Sequence, residues 1–303
     1  MSDRSPIEFY DRYREMIVKE AVYGEQALRW TYETWLGRLC LESVVKRPLF
    51  SALYGRWADR KRSAREIAPF IERFRLDPSE FVDSPDDFKT FNEFFYRRLR
   101  PEVRPTHPDS KSVAFPADGR HLLVPDLSAQ SPIWAKGRRL PLADLLGSTK
   151  LASKFSGGSA LISRLCPTDY HRFHFPLGGF AQAPRLLGDW LYSVNPIALR
   201  RNLNYLIENK RMITEITDSP VGDYLFLEVG ATNVGSICQS IEAPAKVDKG
   251  MEKGYFKFGG SMTILIFPGG TFQASEDLVE FSDRGIEVYA RCGDSAGEVV
   301  SHR

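Results

Sequence analysis

In the segment Gly254-Tyr-Phe-Lys-Phe-Gly-Gly-Ser-Met-Thr-Ile-Leu-Ile-Phe-Pro268, two apolar runs are separated by Gly259-Gly260-Ser261. Tyr255 to Phe258 and Met262 to Phe267 are rich in β-branched and aromatic side chains and read as extended strand. Glycine weakens a strand interior, so the pair between the runs marks a bend or a close backbone approach. A serine that follows two glycines meets little steric resistance when its hydroxyl folds back onto the preceding carbonyl. That is the arrangement a chain needs to cut its own backbone.

The same texture extends outward from this segment. From about residue 112 to about 292, short β runs alternate with Gly, Pro and Asp, among them VAFPADGRHLLVP, SALISRLC, YHRFHFP and DYLFLEVGATNVGSI. One helix is expected to interrupt them at Ile197 to Glu208, and the polar tail from Arg291 onward is expected to fray. Toward the N-terminus, residues 5 to about 80 have heptad-like apolar spacing and few glycines, which predicts helix. The run FKTFNEFFYRRLRPEVRP, Phe88 to Pro105, predicts a helix broken at Pro101, with Phe91, Phe94, Phe95 and Leu99 in the core and the arginines toward water. The expected architecture is α+β: a helical N-terminal part, residues 1–105, packed on a mostly antiparallel β domain, residues 106–303. No repeat of 20 to 50 residues is present.

A chain of 303 residues can bury a substantial core as one large domain or two modest ones. Its net charge of +2 supplies no phosphate-seeking field, so nucleic acid is not an expected partner. Cys40, Cys166, Cys238 and Cys292 show no CxxC spacing and read as reduced thiols in a cytosol-facing protein, with no zinc expected. MSDRSPIEFYDRYRE has no basic start followed by an apolar core, so no secretion signal is expected. No apolar run reaches the roughly 18 residues that a membrane span needs. The protein is expected to be soluble or to lie on a membrane surface.

Between Lys46 and Arg65, seven basic residues stand against one acid, Asp59. Phe50, Leu53, Tyr54 and Trp57 fall at i, i+3, i+4 and i+7 of a helix expected to begin at Pro48. An aromatic stripe beside a cation cluster that includes Arg60, Lys61 and Arg62 suits an interfacial helix on anionic lipid. A helix packed on its own domain with a solvated basic face would show the same pattern.

Two of the five histidines, His171 and His174, share the run Asp169-Tyr-His-Arg-Phe-His-Phe-Pro176. Histidine is the commonest general base, but a zinc site would want further ligands that no nearby pattern supplies. In a strand the i, i+3 spacing sends the two rings to opposite faces, whereas a turn could aim both into one cavity. Asp118, in Pro116-Ala-Asp-Gly119, sits where a tight turn is expected and is also a candidate for orienting a histidine in a Ser-His-Asp arrangement. Gly-Ser occurs at 147–148, 158–159, 235–236 and 260–261. Gly147 reads as the cap of a helix in PLADLL. Ser159 also follows two glycines, so local sequence leaves it open beside Ser261. No GxSxG, GxGxxG or GxxxxGK[ST] motif is present, which argues against an α/β hydrolase, a dinucleotide enzyme or a P-loop NTPase.

Taken together, FNEFFYRRLRPEVRP, PADG, KGRRLPLADLLG, DYHRFHFP, LYSVNP, VGATNVGSI and KGMEKGYFKFGGS occur in the order in which they stand in the phosphatidylserine decarboxylases, and the chain resembles that family from about Leu53 to about Phe281. The resemblance implies a self-processing enzyme with a covalent pyruvoyl group, requiring neither pyridoxal phosphate nor a metal. It matches Ser261 to the serine that becomes the pyruvoyl group, Asp118 and His174 to the other members of the self-cleavage triad, and His171 to a residue of the decarboxylation step. His174, held by Asp118, would take the Ser261 proton, and the oxygen would attack the Gly260 carbonyl. Cleavage between Gly260 and Ser261 would leave a β chain of residues 1–260 and an α chain of residues 261–303, held as a heterodimer or a higher oligomer. The substrate amine would form a Schiff base with the keto group, which then acts as the electron sink for loss of carbon dioxide.

With phosphatidylserine as substrate and phosphatidylethanolamine as product, the resemblance also implies a peripheral protein on the cytoplasmic face of the cell membrane. Phe50, Leu53, Trp57, Arg60, Lys61 and Arg62 would then meet anionic phospholipid. Met262 departs from the family, which more often has threonine or serine there. It is not a triad member, so at most an altered processing speed is expected. The alternatives are a pyruvoyl enzyme acting on another amine, a silent membrane-binding relative, and a serine hydrolase that stays in one piece.

Overall fold

The computed structural model describes residues 6–22, 24–47, 53, 55–127, 141–231, 237–259 and 261–300. Among them the strands are β1 (Glu8–Asp11), β2 (Met16–Lys19), β3 (Ser112–Ala114), β4 (Gly119–Val124), β5 (Ser159–Leu165), β6 (Arg172–His174), β7 (Gly179–Ala181), β8 (Arg185–Leu187), β9 (Arg211–Ser219) and β10 (Gly222–Gly230), continuing with β11 (Ile237–Gln239), β12 (Ala245–Val247), β13 (Glu252–Phe256), β14 (Ser261–Phe267), β15 (Phe272–Ala274), β16 (Glu287–Ala290) and β17 (Ser295–Val299). The main sheet runs β12-β7-β9-β10-β14-β5-β4-β16-β1-β2, with β8 beside β9. Two small sheets, β11-β13-β6 and β15-β17-β3, complete the β structure. Every pairing between these strands is antiparallel except β1 with β16, so the α+β, mostly antiparallel expectation holds.

The run Met262 to Phe267 is apolar except for Thr263 because β14 lies inside the sheet with both faces covered. Met262, Ile264 and Ile266 enter one core, with Leu122, Ile162 and Leu227. Leu265 and Phe267 enter the other, with Phe173, Phe226 and Phe256. Since side chains alternate, Ser261 and Thr263 belong to the second face, and Met262 points away from Ser261. Gly119 is required for a different reason: a Cβ there would lie 2.6 Å from the Arg164 carbonyl of β5.

Residues 8–19 correct the helical expectation for residues 5 to 80. They form β1 and β2, because Ile7, Phe9 and Asp11 turn inward with a period of two while Glu8 is exposed. Helix begins after them, at α1 (Glu25–Glu33) and α2 (Trp35–Cys40). The tail does not fray at Arg291: β17 pairs with β3 and β15, and its small Ala296 is fully buried. The helix expected at 197–208 is two short ones, Pro196–Leu199 and Tyr205–Glu208. The Phe88–Pro105 helix is confined to Phe91–Phe95, and Leu99 bridges to Phe81 in extended conformation. Phe91, Phe94, Phe95 and Leu99 are core as expected, joining Phe70, Tyr170 and Phe258 in a third cluster. Not all the arginines face water: Arg97 is 4% exposed. Among the described residues no helix is long and apolar enough to cross a membrane.

A buried ion network ties the chain's beginning to its end. Arg164 on β5 meets Glu20, just after β2, at 2.6 Å and Glu287 of β16 at 2.5 Å. Removing one member strands the others as uncompensated charges, at a cost of about 3–5 kcal/mol. Arg164→Met is therefore expected to lower the urea unfolding midpoint markedly, and an unchanged midpoint would show that the network contributes nothing.

Candidate active site

Ser261 opens β14 and stands opposite Leu165 of β5 and Gly230 of β10. It is fully buried, and its Oγ has no hydrogen-bond partner among the described residues. Burying a hydroxyl unpaired costs about 1–3 kcal/mol, a penalty that persists where function demands it. Gly259 adopts φ 141°, a backbone conformation that a Cβ resists. Gly260 lies outside the described residues. Of the other serines, Ser148 caps a short helix by accepting from the Leu151 amide at 3.2 Å, with Gly147 left-handed as the preceding cap. Ser159 lies at the far end of β5, opposite Phe267 rather than Ser261.

Below Ser261 the same face turns polar. Thr263 stands opposite Glu228, whose carboxylate meets Lys253 at 2.6 Å in complete burial. Phenylalanines surround the ammonium, with Phe226 at 5.2 Å, and burial pulls the Lys253 pKa down while pushing the Glu228 pKa up.

The two histidines of DYHRFHFP are placed differently. His171 precedes β6 and is fully buried, its ring 3.8 Å from that of Phe95. Its Nδ1 lies 2.9 Å from the Asp169 carbonyl, which only accepts, so the proton sits on Nδ1. Nε2 is left as a buried lone pair with no partner among the described residues. Burial pushes the pKa down to about 3, which keeps the ring neutral. His174 ends β6, with Nδ1 3.0 Å from the Gly250 carbonyl and Nε2 3.4 Å from the Tyr170 hydroxyl. By the same logic its Nε2 is the acceptor facing the Tyr170 hydroxyl, and burial again lowers its pKa.

Asp118 is buried but does not hydrogen-bond to His174, as the sequence-based arrangement expected. Its carboxylate is occupied by Arg104, with Nε at 2.9 and 3.0 Å and Nη2 at 2.8 Å, and by the Cys292 amide at 2.8 Å. The link to His174 is indirect. The His174 amide donates to the Pro116 carbonyl at 2.7 Å, two residues before Asp118, and the negative charge acts on the ring through space. Gly250 therefore orients His174, and Tyr170 stands at its basic nitrogen. Arg104 and Tyr170 were not singled out from sequence. Tyr170 adjoins His171 in DYHRFHFP and was reachable that way, whereas nothing local distinguishes Arg104 from its neighbouring arginines.

A cavity of about 340 Å³ opens beside Gly259. Leu28, Tyr32, Val45 and Phe74 give it an apolar wall, and Glu20, Arg120 and Arg164 a charged end. Elsewhere, Leu53 is 55% exposed and Arg60, Lys61 and Arg62 face water, whereas Trp57 is half-buried against the third cluster. Phe50 lies outside the described residues. Among the described residues the most exposed aromatic is Trp35, at 69%, accompanied on α1 and α2 by Trp30, Leu36 and Leu39.

The family model described as phosphatidylserine decarboxylase matches residues 91–297, a span that contains Asp118, His171, His174 and Ser261. A phosphatidylserine decarboxylase proenzyme of Desulfitobacterium hafniense is 41% identical over 98% of this chain and 99% of its own length. Proteins of the same name from Chlamydia muridarum, at 40% over 97% of both chains, and Clostridium beijerinckii, at 39% over 97% and 99%, are similar to the same extent. The likeness thus reaches beyond the stretch from Leu53 to Phe281 on which the motifs stand, and the chain belongs to the phosphatidylserine decarboxylase family.

Proposed function

We propose that this protein is a proenzyme that cuts itself before Ser261 and then decarboxylates phosphatidylserine to phosphatidylethanolamine and carbon dioxide. The observation that carries the proposal is the Ser261 hydroxyl, without a partner among the described residues and buried at the start of a central strand directly after the glycine pair. A pyruvoyl group derived from Ser261 fits this position. It would occupy space already enclosed by the sheet, and the buried hydroxyl is otherwise unexplained.

In the self-cleavage we assign, Nε2 of His174 accepts the Ser261 Oγ proton, with the ring held by Gly250 and the charge it gains favoured by Asp118. The freed Oγ attacks the Gly260 carbonyl carbon, the Gly260–Ser261 C–N bond breaks, and the amide nitrogen takes the proton, leaving an ester. Loss of the Ser261 α-proton then expels the Gly260 carboxylate, and hydrolysis releases the nitrogen as ammonia. The pyruvoyl group so formed supplies the electron-withdrawing carbonyl that carboxyl loss from an amine substrate needs. His171, neutral and with a free buried Nε2, serves proton transfer in the decarboxylation step. The β chain (1–260) and α chain (261–303) would stay together, because β14 is hydrogen-bonded on both edges to strands of the β chain.

The cavity beside Gly259 suits a lipid, with apolar side chains for acyl carbons. The exposed Trp30, Trp35, Leu36 and Leu39, with Leu53 and the cations Arg60, Lys61 and Arg62, support a peripheral seat on the cytoplasmic face of the cell membrane. Near an anionic surface each such cation contributes about 1 kcal/mol.

Wild-type protein is expected to release carbon dioxide from phosphatidylserine vesicles and none from free serine. Ser261→Ala should remain a single band near 34 kDa on a denaturing gel. Wild-type protein that is equally uncut and inactive would refute the proposal. His171→Ala should still cleave while its decarboxylation falls at least a hundredfold, in the range of a lost general acid or base; an uncleaved variant would contradict the division of roles. Replacing Trp35 and Leu39 by Ser, with charge reversal at Arg60, Lys61 and Arg62, should reduce co-sedimentation with anionic vesicles, and unchanged sedimentation would place the membrane face elsewhere.

A further inference from the structure

A second polar cavity, of about 360 Å³, is lined by Arg97, Arg104, Asp118, Asp169 and Tyr170 among others. Its carboxylates are already engaged. Asp118 is held by Arg104 and the Cys292 amide, Glu80 by Arg104, and Asp169 by Arg120 at 2.5 Å and the Cys166 amide at 2.7 Å. Arg97 is left without a carboxylate among the described residues. Its guanidinium lies 4.9 Å from the ring of Phe81 and 5.0 Å from that of Phe94, and donates only to the carbonyls of Phe94 at 3.5 Å and Thr168 at 3.2 Å. Nε is buried with no acceptor among the described residues. Burial draws the Arg97 pKa down to about 10, so the group stays charged at neutral pH. Asp118, Asp169 and Glu80 act on it only from a distance; a buried cation with an unused donor and no direct carboxylate contact is costly, and a ligand oxyanion would relieve it.

We propose that this cavity is an oxyanion site and that Arg97 is its anchor; building on the decarboxylase function, its occupant is the phosphodiester of the serine headgroup. Guanidinium suits this class because its planar fork matches two oxygens of a phosphoryl group. The placement relates the site to the chemistry. Phe95, two residues before Arg97, covers the His171 ring, and Thr168, which accepts from Arg97, lines both this cavity and the one beside Gly259.

The test uses full-length protein titrated with inorganic phosphate, glycerophosphoserine and L-serine, read by calorimetry, beside Arg97→Gln and Arg97→Lys. Phosphate and glycerophosphoserine are expected to compete for one site, to weaken at least tenfold in Arg97→Gln, and to recover in part in Arg97→Lys. Crystals of the wild type soaked in selenate should show anomalous density within hydrogen-bond reach of Arg97, a readout that needs no variant. Equal phosphate binding by wild type and Arg97→Gln, or no density at Arg97, would overturn the site. Binding of L-serine through Arg97 with none of phosphate would overturn the phosphodiester assignment. Phosphate binding through Arg97 by a wild type that releases no carbon dioxide from phosphatidylserine would leave the anion site standing and remove the decarboxylase function.

Discussion

Everything proposed for this protein depends on where β14 sits. A hydroxyl on an edge strand or a loop would be hydrated, free to rotate and a poor nucleophile toward its own backbone. Here Ser261 begins a strand gripped on both edges, by β10 and β5, with a packed core on each face. Water is excluded and the position of the hydroxyl is set by the sheet. The same grip would keep residues 261–303 in place after a cut, since β14, β16 and β17 each hydrogen-bond to strands from earlier in the chain.

The electrostatics keep the two histidines uncharged. Both place a proton on Nδ1 by donating to a backbone carbonyl, and burial lowers both pKa values, so each keeps an unprotonated Nε2. A third buried histidine, His121, follows the same electrostatic rule without a catalytic position. It is wedged between Ser163 and the Ala290 carbonyl, with its pKa pushed down to about 3. Depressed histidine pKa values mean that the unfolded chain binds more protons than the folded one. Stability from these groups is therefore full above about pH 6.5 and is lost as pH falls toward 3. Asp118 and Asp169 are each engaged by an arginine and an amide, and burial pushes the Asp169 pKa up.

Much of this was legible in the sequence. The glycine pair before a continuous apolar run pointed to a buried strand with a distorted entry, which Gly259 at φ 141° bears out. The PLADLL-Gly cap and the core phenylalanines of FNEFF were readable because capping and burial are local or periodic effects. What could not be read depended on distant partners. Residues 8–19 look helical until β16 is present to pair with β1, and the polar tail becomes a strand only because β3 and β15 flank it. An arginine that caps Asp118 and an arginine left alone in a cavity are indistinguishable in RRLRPEVR, since what separates them is which carboxylate the fold brings near. Direct pairing of Asp118 with His174 was expected by analogy with a triad, and the geometry replaces it with the Gly250 carbonyl and the Tyr170 hydroxyl.

The most direct test of the central claim is the intact mass of the purified protein before and after borohydride reduction. The account predicts two species, one ending at Gly260 and one beginning at residue 261 whose terminus lacks its amine and gains two hydrogens on reduction. A single full-length species unchanged by borohydride, in a preparation that decarboxylates phosphatidylserine, would contradict it.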